Sequence, residues 1–322
     1  MYSWGDDRSA WKNPKAYDFG SAKKAYVDKV GKSAGSAPRT YLEKTKPKLE
    51  LVDPLNREVA TDSEEPVIIA VDGTGSMQSW PAEIFDRLPL LCQTVGGWKQ
   101  NAEISFAVLG DAFIDNWPLQ VTDFGKGPSL DKLLDALKPE GGGGGGARES
   151  YELFAYFVSE HVKTPKATSP FLFIMGDEGF YDLIRKDQAK TYIGDTLDED
   201  VNAKKTIDAL CQRFDVYLLR KQYSNVEKDK QIRAQWADAI GDQRIIPVTD
   251  PQRIVDVTMG LIAKKWGQYD DFKANLSARQ DSGSIKTVMD SLRAAPEIDK
   301  TMKSKVTGAI LSKKSKALEV TE

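Results

Sequence analysis

Residues 66–77 read PVIIAVDGTGSM. The run from Val67 to Val71 is unbroken, apolar and rich in β-branched residues. Runs of this kind suit a strand buried on both faces, as in a parallel sheet. The run stops at Asp72, the small polar loop Asp72-Gly73-Thr74-Gly75-Ser76 follows, and Pro81 opens a helix. A strand, a tight oxygen-rich loop and a helix place ligands at the carboxyl edge of an α/β sheet. In the loop one carboxylate and two hydroxyls occupy alternate positions. Alternate side chains of extended backbone point the same way, so Asp72, Thr74 and Ser76 can converge on one small cation. Gly73 and Gly75 permit the tight turn. The plainer alternative is a turn in which Asp72 and Ser76 only cap backbone amides.

Downstream the same grammar repeats. Ile84, Leu88, Leu91, Cys92 and Val95 form a helical stripe over 81–95, and Gly96-Gly97 reads as its end. Residues 102–109 read as a second strand, followed by Gly110-Asp111, and 117–124 as an antiparallel return. Ser129 reads as the cap of a short helix through Leu137. The apolar strand 171–176, FLFIMG, ends in Asp177-Glu178. Strands at 216–219 and 245–248 alternate with helices near 198–212 and 228–239, and Asp250 caps a further helix from Pro251. The alternation implies a doubly wound, mostly parallel, Rossmann-like α/β sheet with helices on both faces. Upstream, Leu49 to Val52 reads as a short edge strand.

Six consecutive glycines, Gly141 to Gly146, precede Ala147-Arg148-Glu149-Ser150. One reading is a linker between domains. The other, preferred because an amphipathic helix starts at once, is a loop that approaches a site closely, with Glu149 and Ser150 at the helix start. That helix carries Tyr151, Phe154, Ala155, Val158 and Val162 on one face. His161, the single histidine, reads as a helix-end residue, which excludes a histidine-cluster zinc site and speaks against Ser-His-Asp or Cys-His catalysis.

The 322 residues carry a net charge of only −3, which argues against a general nucleic-acid binder. No apolar run approaches the roughly 20 residues that cross a bilayer. The amino terminus shows no apolar signal core, so a cytoplasmic location is expected. The two cysteines, Cys92 and Cys211, read as free thiols within helices. Three regions are expected: a basic, aromatic-containing arm over 1–50, an α/β domain over 51–268 and a lysine-rich helical tail over 269–322, taken as solvated. Gly31-Lys32-Ser33 is no phosphate-binding loop, because Tyr26 stands where that motif needs its first glycine.

Three oxygen-rich loops result. They offer Asp72, Thr74 and Ser76, then Glu149 or Ser150, then Asp177. Hard oxygen donors without sulfur or imidazole favour Mg²⁺, with Mn²⁺ or Ca²⁺ as substitutes. In these motifs the sequence resembles the von Willebrand factor A (vWA) family with its metal-ion-dependent adhesion site (MIDAS). Asp72-Gly73-Thr74-Gly75-Ser76 matches the family's Asp-x-Ser/Thr-x-Ser. Gly143 to Glu149 is similar to the Gly-Gly-Gly-x-x-x-Glu variant of some intracellular members, and Met175-Gly176-Asp177-Glu178 to the third loop. The resemblance covers roughly 64–266. It implies a metal held by Asp72, Thr74, Ser76, Glu149 and Asp177, and a non-enzymatic protein-binding module or scaffold. Its partners would be proteins such as the ATPases, kinases or chaperone-like machines that family members accompany. Glu149, where the family often has threonine, adds a negative charge and implies a weaker appetite for an acidic ligand. Two alternatives are a Mg²⁺-dependent phosphoester hydrolase and a self-assembling structural component.

Overall fold

The structure, a computed structural model, describes residues 45–293 and 295, apart from 86, 128 and 143–145. Its sheet is built from β1 (Pro66–Asp72), β2 (Glu103–Leu109), β3 (Leu119–Val121), β4 (Phe171–Gly176), β5 (Asp215–Arg220) and β6 (Ile245–Pro247). The spatial order is β3-β2-β1-β4-β5-β6, and every neighbouring pair is parallel except β2 with β3. The doubly wound, mostly parallel α/β class read from the sequence is therefore the fold.

Every residue of β1 is buried, as its unbroken apolar run requires. Alternate side chains feed two cores: Val67, Ile69 and Val71 face one, Ile68 and Ala70 the other. The first core is closed by α2 (Trp80–Phe85), α3 (Leu88–Trp98), α4 (Ser129–Leu134), α8 (Ile254–Trp266), α9 (Tyr269–Arg279) and α10 (Ser282–Arg293), with α1 (Leu49–Val52) at its margin. The second is closed by α5 (Tyr151–His161), α6 (Ala203–Arg213) and α7 (Val226–Ile240). Phe171 and Phe173 stack at 5.3 Å in the first core, and Trp236 sits edge-on to Tyr151 and Phe180 in the second. Fully buried side chains of this size stabilise by roughly 1.5–3 kcal/mol each. Asn202 and Asn225 cap α6 and α7 by accepting the amides of Lys205 and Lys228.

The chain winds outward from β1 on one side and from β4 on the other. The crevice at the carboxyl ends of these two strands is thus the topological switch point, where open α/β sheets hold ligands.

Several local expectations are corrected. Leu49–Val52 is a helical turn, not an edge strand; four residues are too few for periodicity to separate the two. The helix expected over 81–95 is two helices, because Pro89 brings no amide to an α-helical ladder and instead falls in the first turn of α3. Gly96 and Gly97 do not end that helix, which runs to Trp98. The helix from Ser129 stops at Leu134, three residues short of Leu137. The solvated reading of 269–293 fails as well. Phe272, Leu276, Val288 and Leu292 are buried in the first core, and a Cβ at Gly260 of α8 would collide with Leu292. Residues 1–44 and 296–322, with most of the basic arm and the lysine-rich end, lie outside the described residues. Among the described residues no helix is long and apolar enough to cross a membrane.

Candidate functional site

β1 delivers Asp72 to the switch point fully buried. The backbone then turns through Gly73, whose amide donates to Leu109 O at 2.8 Å. The Thr74 amide and hydroxyl both donate to Asp72 Oδ1, at 2.9 and 2.6 Å. Thr74 Oγ1 lies 3.2 Å from Ser76 Oγ, and Ser76 Oγ donates to Asp177 Oδ1 at 2.7 Å. Asp177 follows β4, so the pairing of β1 with β4 is what closes this contact. The structure brings Asp72, Thr74, Ser76 and Asp177 into one chain of oxygen atoms.

The glycine run is part of the same assembly. The Gly75 amide donates to Gly142 O at 2.6 Å, and the Gly141 amide to Gly73 O at 2.8 Å. A Cβ at Gly75 would lie 3.0 Å from Gly141 O, and one at Gly142 would fall on the Asp115 carboxylate. Two backbones approach here more closely than side chains allow. Gly141 and Gly142, at the head of the run, are locked to the Asp72–Ser76 turn, which is not how a linker sits; Gly143 to Gly145 lie outside the described residues.

Beyond it, Arg148–Glu149 forms a two-residue parallel ladder with Gly179–Phe180. That ladder fixes Glu149 beside the third loop, 1% exposed. Glu149 and Glu178 are electrostatic neighbours, and the Oε2 atom of each is buried with no hydrogen-bond partner among the described residues. Of the two second-loop candidates, Glu149 joins the acidic group, while Ser150 Oγ accepts the Ala112 amide at 2.9 Å. Asp111 is both turn residue and rim residue. It accepts the Phe113 amide at 3.0 Å and the Tyr181 hydroxyl at 3.2 Å.

Two participants leave no mark in the sequence pattern. In the sequence Tyr151 shows only as part of an apolar stripe, but its buried hydroxyl donates to Asp72 Oδ2 at 2.5 Å. Gly176 makes this possible, since a Cβ there would strike that hydroxyl. Lys221, just past β5, reaches in with its ammonium, donating at 2.6 Å to Asp177 Oδ2 and at 2.6 Å to Ser76 O. Glu178 follows from the acidic end of its strand in the sequence; no rule of spacing finds a lysine that folds inward.

Burial, then the Asp177 charge, pushes the Asp72 carboxyl up to about 7, although Thr74 and Tyr151 hydrogen bonds oppose the rise. Burial, then Asp72, raises Glu149, and burial raises Glu178. Burial also pushes Glu152 up to about 8; its Oε2 accepts the Tyr181 amide at 3.1 Å while Oε1 has no partner among the described residues. The Tyr151 phenol is raised by burial and by Asp72. The site therefore holds more carboxyl oxygen than it can keep ionised unaided.

Among the described residues no three Asp, Glu, His or Cys side chains gather closely enough to hold a metal by themselves. A cation here needs the hydroxyls of Thr74 and Ser76 beside the carboxylates. The donor set fits such an ion in kind: hard oxygens, orphaned buried carboxyl atoms and an Asp72 carboxyl whose ionisation burial disfavours.

No protein-family model matches the chain, and no curated protein matches it. Among solved structures, proximal thread matrix protein 1 from the mussel byssus is 10% identical over 64% of this chain and 49% of its own, with a TM-score of 0.44. The pilus adhesin SpaC from Lactobacillus rhamnosus GG is 10% identical over 66% of this chain and 32% of its own, with a TM-score of 0.45. Its open conformation gives 10% identity over 68% and 31%, with a TM-score of 0.45. The chain thus spans less than half the length of each of these proteins.

Proposed function

We propose that this protein is a metal-dependent protein-binding module of the vWA type, non-enzymatic and cytoplasmic, acting as a scaffold or adaptor. The observation that carries the reading is the Ser76 Oγ to Asp177 Oδ1 bond, which joins two motif loops 101 residues apart at the switch point of the sheet. Asp72, Thr74, Ser76 and Asp177 would hold a hard divalent ion such as Mg²⁺, with Mn²⁺ or Ca²⁺ as substitutes. Glu149 would stand beside it. A bound ion would supply positive charge and an electrophilic position for an oxygen atom of a partner.

The partner docks over the carboxyl edge, where the loops after β1, β2 and β4 meet. The residues of this chain order that surface. Tyr151 and Thr74 fix the Asp72 carboxylate, and the glycine loop braces the turn from behind. Glu149 and Glu178 add negative charge, so the site attracts acidic partners less than a threonine-bearing site would. The partner chemistry that fits best is a neutral oxygen donor or a carboxylate set among basic residues.

The test is retention of a partner from source-cell extract on immobilised protein, with Mg²⁺, with EDTA, and with Asp72→Ala. Retention by the wild type in Mg²⁺ alone supports the proposal; equal retention in all three arms contradicts it. Calorimetry with a simple acidic peptide tests the charge argument separately. Tight Mg²⁺-dependent binding of that peptide contradicts the weak-acid preference.

A further inference from the structure

A cluster that wants a cation already holds one. Lys221 is placed by its backbone, whose amide donates to Gly176 O at 3.1 Å, so its side chain begins at the carboxyl edge next to β4. From there the ammonium makes two charge-assisted contacts of 2.6 Å, to Asp177 Oδ2 and to Ser76 O. Asp177 is 1% exposed at its side chain and Lys221 16%. The contacts therefore form away from bulk water, where screening is weak. They engage the loops after β1 and β4 together, as a metal ion between those loops would. The neighbouring residue shows the contrast. Arg220 pairs with Asp229 at 2.5 Å and, through Asp229, with the Tyr223 amide, which is a fixed structural use of a guanidinium. Lys221 is a compact charge on a flexible four-carbon stem with three rotatable donors. It can leave by rotating about its own side-chain bonds, with no movement of the sheet.

We infer that Lys221 is a built-in counter-cation, which holds the two loops together in the metal-free protein and must withdraw from Asp177 when a divalent ion loads. The inference rests on the metal-site reading above and adds regulation to it. Lysine and metal compete for Asp177, so loading swings an ammonium out towards the docking face. The same movement replaces one positive charge by two and changes the surface that a partner meets. A metal-free site would then stay closed rather than collapse through repulsion among Asp72, Asp177 and Glu178.

Two measurements test this on the full chain. The first is Mg²⁺ titration by calorimetry, after EDTA treatment and dialysis, of the wild type, Lys221→Met and Lys221→Arg. The expected result is a Mg²⁺ affinity at least tenfold tighter in Lys221→Met than in the wild type, with Lys221→Arg no tighter than the wild type. Binding by Lys221→Met alone also supports the inference. Equal or weaker binding by Lys221→Met overturns it and leaves the metal site standing. No binding by any of the three overturns the metal reading and the competition together. The second measurement needs no variant and so survives a Lys221→Met that fails to fold. Reductive methylation of the wild type is followed by peptide mass spectrometry in EDTA and in Mg²⁺. Lys221 is expected to react at least threefold faster with Mg²⁺, while Lys99 and Lys265 react equally in both. An unchanged Lys221 rate in a protein that binds Mg²⁺ overturns the inference.

Discussion

Two buried acidic sites in this molecule are built in opposite ways. Asp256, in the first turn of α8, lies between two guanidiniums, with Arg253 Nη1 at 3.2 Å from Oδ2 and Arg279 Nη2 at 2.9 Å from Oδ1. Gln280 Nε2 adds a longer contact at 3.4 Å, and Asn275 Oδ1 braces Arg279. Asp250 lies 3.6 Å from Arg253 Nε, so two carboxylates face two guanidiniums and the charges balance. At the carboxyl edge Asp72, Glu149, Asp177 and Glu178 are all buried, and the ammonium of Lys221 is the cation bonded to Asp177. Where a buried carboxylate serves only to tie α8 and α9 together, this fold supplies arginines. Where the sheet offers a ligand site, the charge is left unbalanced. The difference separates an ion pair that stabilises the fold from a group of acids held ready for a cation.

The largest effect falls on the balanced site. Asp256→Ala leaves two arginines facing each other and is expected to cost about 3–5 kcal/mol in urea denaturation, equally in EDTA and in Mg²⁺. A loss that Mg²⁺ alters would erase the distinction between the sites. Next comes Gly142→Ala. Its Cβ would fall on Asp115 and push the glycine loop off Gly75. A loss of about 2 kcal/mol is expected, together with a weaker response to Mg²⁺. An unchanged Mg²⁺ response would show that the loop only fills space.

Taken per group and per pH unit, the acid–base behaviour follows in size. In EDTA the folded state holds Asp72 at about 7 and Glu152 at about 8, against ordinary values of 3.8 and 4.5. Between those values the folded protein keeps protons that the unfolded chain has released. Stability therefore falls as pH rises from about 4 to about 8, by at most about 1.4 kcal/mol per unit for each group. Saturating Mg²⁺ should flatten this slope, because an ion takes the place of the protons. Denaturation midpoints at pH 5, 6, 7 and 8, with and without Mg²⁺, check the sign; a rise with pH in EDTA contradicts it. The smallest effect is Asp72→Asn in EDTA at pH 4, where the folded carboxyl is itself neutral, and it should shift stability by less than about 1 kcal/mol. A loss as large as that of Asp256→Ala would make Asp72 a structural anchor instead.

Much of this was readable beforehand, for a physical reason. Strands buried on both faces leave unbroken apolar runs, so β1 and β4 announce themselves, and their ends locate Asp72 and Asp177. The Asp72–Ser76 spacing already brings three oxygen donors together, since local backbone geometry alone controls it. Contacts that depend on which strand lies next to which were not readable. Lys221 looks like any solvated lysine after a strand until β5 is placed beside β4. Tyr151 shows only its ring in a helical pattern, while its hydroxyl matters through Gly176, far away in sequence. The helices α9 and α10 are polar enough to suggest solvent exposure, and only the groove beside α8 gives their few apolar residues somewhere to go.

The most direct test of the contrast is thermal unfolding of the wild type and Asp72→Asn, each in EDTA and in a Mg²⁺ series. Binding at a hundred times Kd should stabilise the wild type by about 2.7 kcal/mol. The wild-type midpoint is expected to climb with Mg²⁺ while the variant stays where EDTA leaves it. Equal climbs, or no climb in either, would contradict the claim that the carboxyl edge is held open for a cation.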